Sequence, residues 1–390
     1  MTSVSAWCPD NSQGLSGWQC FGQYPLSVSS RTDLESSPRF GVYVHIPFCA
    51  SRCDYCAFAT WTDRPQLIDQ DLEALARDVT HGVELGMAAA TSVFFGGGTP
   101  SLVPPDGLMA VLASIPRVSG AEVTVECNPD TVTDVLLATY LDGGVTRLSF
   151  GVQSMVDHVL VGLGRTHNVA NVERAVTSAR KIGFDSFNLD LIYGGASESL
   201  NDWRVTLDRT IALEPAHVSA YALTIEAGTP LANDPGRHPD DDDQADKYLI
   251  ANEVLGQAGL DWYEISNWSR PGHRCAHNLL YWRQGDYRGF GCAAHSHEAG
   301  RRWWNVRTPE RYLEAVHSSQ PTEAGFEVLD APARRIEALQ LALRTSDGVS
   351  ADALDLSDPA LEGLVEVSDD QVRLTVAGRM LANEVAIRLR

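Results

Sequence analysis

Three cysteines, Cys49, Cys53 and Cys56, fall within eight positions, directly after an apolar β-branched run of Val42, Val44 and Ile46. Thiolates are soft donors, and clustered thiolates select zinc or iron–sulfur over magnesium or calcium. Their number separates the kinds of site. Three local sulfurs hold three corners of a four-iron cluster and leave one iron open, whereas a structural metal is closed by four ligands. Structural zinc with His45 as fourth ligand would lack the paired C-x2-C knuckles of such sites. A disulfide explains an odd local trio poorly in a chain with no secretory signal. Three inert core thiols are the remaining alternative, since free cysteine is often simply buried. The open cluster is the stronger reading.

The elements that must position this trio show in the alternation of hydrophobic pattern. Short β-branched runs at 41–46, 92–95, 122–126, 147–150, 186–192 and 217–223 alternate with helical-period stretches at 66–85, 107–113, 133–141, 169–181 and 200–213. That order predicts βα units on a parallel sheet, an α/β fold built as a partial barrel or a doubly wound sheet. Either way, ligands gather at the carboxyl ends of the strands. There the sequence places the cysteines after the first run, Gly-Gly-Gly-Thr-Pro at 96–100 after the second, and Glu126 at the end of the third. Gln153 follows the fourth run, Asp190 lies in the fifth and Ala222 near the end of the sixth.

The remainder is less regular. Residues 228–243 hold Pro230, Pro235, Pro239 and four consecutive aspartates, which reads as a surface loop feeding a solvated helix start, then a helix over 244–256. A dense aromatic and Gly-rich segment runs from 262 to 304. From Ala333 the pattern predicts two helices, a strand–turn–strand over 363–375 and a helix over 378–390, a small winged-helix-like appendage. The expected divisions are a flexible arm at 1–38 (with Cys8 and Cys20 unassigned), a core at 39–227, a closing segment at 228–325 and the appendage at 326–390. With 390 residues, 44% hydrophobic and 21% charged, the composition is that of a globular protein. A net charge of −21 weighs against nucleic acid as the main partner. No apolar run reaches the length of a membrane span, so a protein not integral to membrane is expected, in the cytoplasm where thiols stay reduced.

C-x3-C-x2-C after a strand, followed by Gly-Gly-Thr-Pro, resembles the radical S-adenosylmethionine (SAM) superfamily. The resemblance implies a partial (β/α)6 radical-SAM barrel with a small C-terminal winged-helix-like α+β appendage. It also implies an open iron that chelates SAM and cleaves it to a 5′-deoxyadenosyl radical. Segments 43–49, 148–154 and 188–194 are similar to the oxygen-independent coproporphyrinogen III oxidase family, a likeness covering roughly 41–390. By that likeness Tyr43, Tyr55, Gly97, Gly98, Thr99, Glu126, Gln153, Arg165, Asp190 and Ala222 line the SAM pocket. Their chemistry suits the role. Gly97 and Gly98 would let backbone approach the methionine end, Glu126 and Asp190 can accept from ribose hydroxyls or an ammonium, and Arg165 can fork onto a carboxylate.

Two features depart from the oxidase. Its pattern carries a further cysteine where this chain has Phe58, and residues 277–282 read His-Asn-x-x-Tyr-Trp, which resembles the HemW-type branch. Members of that branch are heme chaperones without oxidase activity. The resemblance implies a [4Fe-4S] cluster on Cys49, Cys53 and Cys56, exchangeable SAM, heme, an acceptor protein for the heme and an electron donor as a further partner. It offers His277 as axial ligand, with Cys275 nearby and Tyr281 and Trp282 against the porphyrin. The bland alternative makes His277 a hydrogen-bonded structural histidine. His295 and His297 are secondary candidates, and Cys127 and Cys292 read as packing residues. The competing functions are oxidative decarboxylation of coproporphyrinogen, and radical chemistry on another tetrapyrrole or on tRNA.

Overall fold

A computed structural model describes residues 39–390; the arm expected at 1–38, with Cys8 and Cys20, lies outside them. The first strand, β1 (Phe40–Ile46), is buried at every position but Tyr43. Strands covered on both faces lose the polar alternation of an exposed sheet and read as apolar runs, as this one does. Five more follow: β2 (Ala90–Gly97), β3 (Arg117–Cys127), β4 (Arg147–Gln153), β5 (Phe187–Tyr193) and β6 (His217–Ala222). All six are parallel and lie side by side in chain order. A doubly wound sheet would reverse that order partway; this one never does. With right-handed crossovers, the intervening helices then fall on one face and leave the other as an inner wall.

Those helices are α1 (Ile68–Glu84), α2 (Pro105–Ser114), α3 (Asp134–Asp142), the short α4 (Asp157–Gly162), α5 (Val169–Ile182) and α6 (Leu200–Ala212). Their ends follow local chemistry. Asn168 and Ser199 form capping boxes at the starts of α5 and α6, and Gly183 ends α5 at φ 112°. The aspartate run begins α7 (Asp241–Gln257): Asp240 is the N-cap, accepting from the Asp243 N–H, and three carboxylates occupy the positive end of the helix.

The aromatic segment extends the sheet at both edges, which its short strands had hidden. Beyond β6 lie β8 (Asn267–Ser269) and then β7 (Asp261–Glu264), antiparallel. Helix α8 (Ala276–Trp282) leads to β9 (Asp286–Phe290), which pairs parallel with β1. Next come β10 (His295–Glu298), β11 (Arg301–Asn305) and, after α9 (Pro309–His317), β12 (Glu323–Val328), all antiparallel. The twelve-stranded sheet ends at β12 and β7 without closing. The last part of the chain carries α10 (Ala331–Ala342) and a sheet of β13 (Val349–Ser350), β14 (Val365–Ser368) and β15 (Gln371–Leu374). It has its own core of Leu343, Val349, Leu354, Val372 and Val385. Here the helices differ from expectation. One helix and short 3₁₀ turns precede the strands, and the final helix breaks into α11 (Val376–Met380) and α12 (Ala382–Ala386) where Leu381 leaves helical geometry at φ −110°, ψ 30°.

Candidate functional site

The three cysteines occupy the irregular loop after β1, and the backbone stitches that loop to the end of β2. Cys49 N–H donates to the Trp61 carbonyl (3.1 Å) and Trp61 N–H to that of Pro47 (2.8 Å). Gly98 N–H donates to Ile46 (2.7 Å) and Thr99 N–H to Phe48 (2.8 Å). The glycines serve this approach: a Cβ on Gly97, at φ 106°, would strike the His45 ring, and one on Gly98 would lie 2.6 Å from the Phe48 carbonyl oxygen. Close packing of β2 against the cysteine loop is therefore an internal reason for Gly-Gly, distinct from approach to a ligand.

The thiols are half-buried. Thr99 Oγ1 donates to Cys49 Sγ (3.5 Å) and Arg165 Nη1 to Cys53 Sγ (3.2 Å). Burial pushes the Cys49 and Cys56 thiols up. His45 is not a fourth ligand: its Nε2–H donates to the Ala59 carbonyl (2.9 Å) and its Nδ1 accepts from the Tyr43 hydroxyl (3.0 Å). Among the described residues no three His, Cys, Asp or Glu side chains converge on a single ion. All three cysteines instead line one cavity of about 760 Å³. Three soft donors on one wall, two of them already accepting hydrogen bonds, fit a cluster held by three cysteines.

The same cavity gathers Tyr55, Gly97, Gly98, Thr99, Glu126, Gln153, Arg165, Asp190 and Ala222 from six successive strand ends and loops. Its carboxyls are short of positive partners. Glu126 accepts from Gly97 N–H (3.2 Å), yet burial and the neighbouring Asp190 push its pKa up to about 8. Burial also raises Asp190, against hydrogen bonds from Ser149 (2.7 Å) and Asn188 (2.8 Å). A ligand carrying a cation or hydroxyl donors would relieve both. Gln153 holds φ 66°, where the β4–β5 register slips, so a strained backbone aims a side chain into the cavity.

Sequence reading missed several supporting residues. Tyr221 and Ser149 line the cavity, each signalled only by its place on a strand that ends there. His167 orients Arg165: its Nε2–H donates to the Val152 carbonyl (3.0 Å), and its Nδ1 accepts from Arg165 Nε (3.3 Å). Burial and Arg165 hold His167 down to about 4, so it stays a neutral acceptor. A lone loop histidine gave no sign of this.

Two expected residues lie elsewhere. His277 is fully buried, its Nδ1 hydrogen-bonded to Ser92 Oγ (2.9 Å), its Nε2 to the Tyr281 hydroxyl (2.7 Å), and its ring stacked on Phe94. Burial holds its pKa down to about 3. Both ring nitrogens are occupied. Glu122 of β3 caps its helix, accepting from the Ala276 and His277 N–H groups (3.1 Å each). A buried chain of bonds connects this segment to the cavity: Cys275 N–H to the Tyr263 hydroxyl, that hydroxyl to His217, His217 to Asn188, and Asn188 to Asp190. Tyr43, the other, lines a second cavity of about 660 Å³ with His45, Tyr281, Tyr287, His295, His297, Arg302 and Arg307. Phe58 faces both cavities and is 62% exposed.

The radical SAM superfamily model matches residues 43–210. The chain is 38% identical to the heme chaperone HemW of Mycobacterium tuberculosis over 94% of its own length and 98% of that protein's. It is 34% identical to HemW of Escherichia coli K12, over 89% and 97%. Among solved structures, the coproporphyrinogen III oxidase HemN of Escherichia coli superposes with a TM-score of 0.78 over 94% of this chain and 96% of that one, at 23% identity, which establishes a shared fold. With the cysteine loop, the Gly-Gly-Thr-Pro turn and near end-to-end likeness to these chaperones, the chain belongs to the HemW family of the radical SAM superfamily.

Proposed function

We propose that this protein binds heme and hands it to an acceptor protein, with a [4Fe-4S] cluster on Cys49, Cys53 and Cys56 and SAM in the adjoining cavity. The observation that carries the reading is near full-length identity of 38% to a heme chaperone. When bound, the cluster supplies an open iron for the amino and carboxylate groups of SAM and an electron to it. The chain's own residues do the rest. Glu126 and Asp190 accept from hydroxyl or ammonium groups, Arg165 holds the Cys53 sulfur, and Ala222 leaves room where a larger side chain would fill the cavity. Phe58, where the oxidase pattern has cysteine, puts an exposed aromatic face beside the thiols instead of another sulfur.

No helix among the described residues is long and apolar enough to cross a membrane, and the six free thiols among those residues suit the reducing cytoplasm, where we place the protein. The test is direct. Anaerobically reconstituted protein is titrated with hemin, then mixed with an apo-hemoprotein; in parallel it receives coproporphyrinogen, SAM and a reductant. Soret absorbance that moves to the acceptor, with no vinyl product, is expected. A sample that ignores hemin and decarboxylates coproporphyrinogen would be an oxidase.

A further inference from the structure

We propose that the second cavity is the heme seat, with an imidazole of the His295–His297 pair on the iron and Arg307 on a propionate. This rests on the heme-chaperone reading above and gives it a place. The cavity, about 660 Å³, is within the range of sites that hold compact cofactors.

The donors come from one short strand. In β10, side chains two residues apart point to the same face, so His295 and His297 stand side by side, and both line the cavity. His297 is 3% exposed, and its Nδ1 lies 3.0 Å from the Gly285 carbonyl oxygen, to which it donates. Its Nε2 is left as an acceptor with no partner among the described residues. An imidazole whose one N–H is fixed on a backbone carbonyl while the other nitrogen stays free is the form that ligates metals. A buried polar atom without a partner is unfavourable, and iron coordination would relieve it. His295 lies at the exposed start of the strand, its ring centroid 5.9 Å from that of Trp304.

The walls fit a flat aromatic macrocycle with two carboxylates. Phe58 and Tyr287 offer rings, and Phe58 is exposed with nothing covering it. Arg302 is already paired with Glu337 (2.6 Å) and Glu327 (3.3 Å). Arg307 has no ion pair or hydrogen bond among the described residues, which leaves its fork for a carboxylate. His277 now has a different part. Through its 2.7 Å bond it positions the Tyr281 hydroxyl, and Tyr281 lines this cavity. The seat shares Ala57 and Phe58 with the cluster cavity, so the two ligands would be neighbours across one turn of chain.

The experiment titrates the full-length, cluster-loaded protein with hemin and follows the Soret band. Expected are a shifted Soret and at least about tenfold weaker binding for the double variant His295→Ala/His297→Ala, with cluster absorption and melting temperature as controls of folding. Because His297 is buried, the exposed-site variants His295→Ala and Arg307→Glu are measured alongside it. Arg307→Glu should weaken binding about five- to tenfold and leave the Soret position unchanged. Wild-type affinity and Soret in the double variant and in Arg307→Glu would overturn the seat while leaving the chaperone reading intact. Failure of the wild-type protein to bind hemin would overturn both.

Discussion

Asp71 shows how much one residue can be asked to bear. It sits in the first turn of α1, fully buried, and neither carboxylate oxygen has a partner among the described residues. Burial alone pushes its pKa from 3.8 to about 7. The folded chain therefore holds this proton more tightly than the unfolded chain does. Its favourable contribution is complete below pH 3.8 and is lost as pH rises to about 7, because over that window only the unfolded chain ionises. Replacing it by Asn removes the titration. The stability of Asp71→Asn relative to wild type should rise by about 2 kcal/mol between pH 5 and pH 8, read from urea melts at both. A difference independent of pH would mean the carboxylate is solvated or paired. Gly97 makes the matching case for backbone. At φ 106° with His45 in the path of a Cβ, Gly97→Ala should cost about 1–3 kcal/mol and lower cluster occupancy without touching a thiol. Full iron–sulfur absorption and unchanged stability in that variant would contradict it.

At the scale of elements, the helix α7 joins a surface feature to a buried one. Asp240 to Asp242 form the solvated start that four aspartates suggest, but Asp243 turns inward to Lys247 (2.6 Å), which is wholly buried and also meets Glu198 Oε2 (3.2 Å) and the Glu198 carbonyl (2.7 Å). Removing the lysine strands a buried carboxylate, so Lys247→Met should lose about 3–5 kcal/mol in denaturant melts, and a loss below 1 kcal/mol would show that Glu198 is neutral in the folded protein. This pair marks the limit of what sequence reveals. The six parallel strands and their helices were legible because long apolar runs and helical periods repeat, the cysteines, Gly-Gly-Thr-Pro and Glu126 fall where those runs stop, and Asp190 breaks the fifth run from within. The strands β7 to β12 were not. Each spans only three to six residues, too few for a period to emerge from Trp, Tyr, Arg and Gly. For His277 the motif left two readings open, an axial ligand or a hydrogen-bonded structural histidine, because a motif tells that a residue matters while only packing shows the bonds its two nitrogens make.

The whole molecule sets the cysteine loop on a core that does not depend on it. The main apolar cluster runs through β1 to β6 and their helices, with no cluster cysteine in it. The loop itself has little core of its own and is held by a few backbone bonds to β2 and to Trp61. Small metal domains unfold without their metal because the site is the core. Here the two are separable. Chelation of iron from the loaded protein should leave the far-ultraviolet circular dichroism unchanged and loosen only the segment around 47–64. Trypsin can report this. Arg52 is exposed in the middle of the loop, next to Cys53, while Arg64 at its end is tied to Glu310 and Asp63. Cluster-loaded protein should resist cleavage after Arg52, and the chelated protein should be cut there first, giving two fragments that stay together because β1 on the shorter one remains paired with β2 and β9 on the longer one. Loss of helical signal on chelation, or cleavage spread evenly over the chain, would mean that iron organises the fold and not only the loop that carries it.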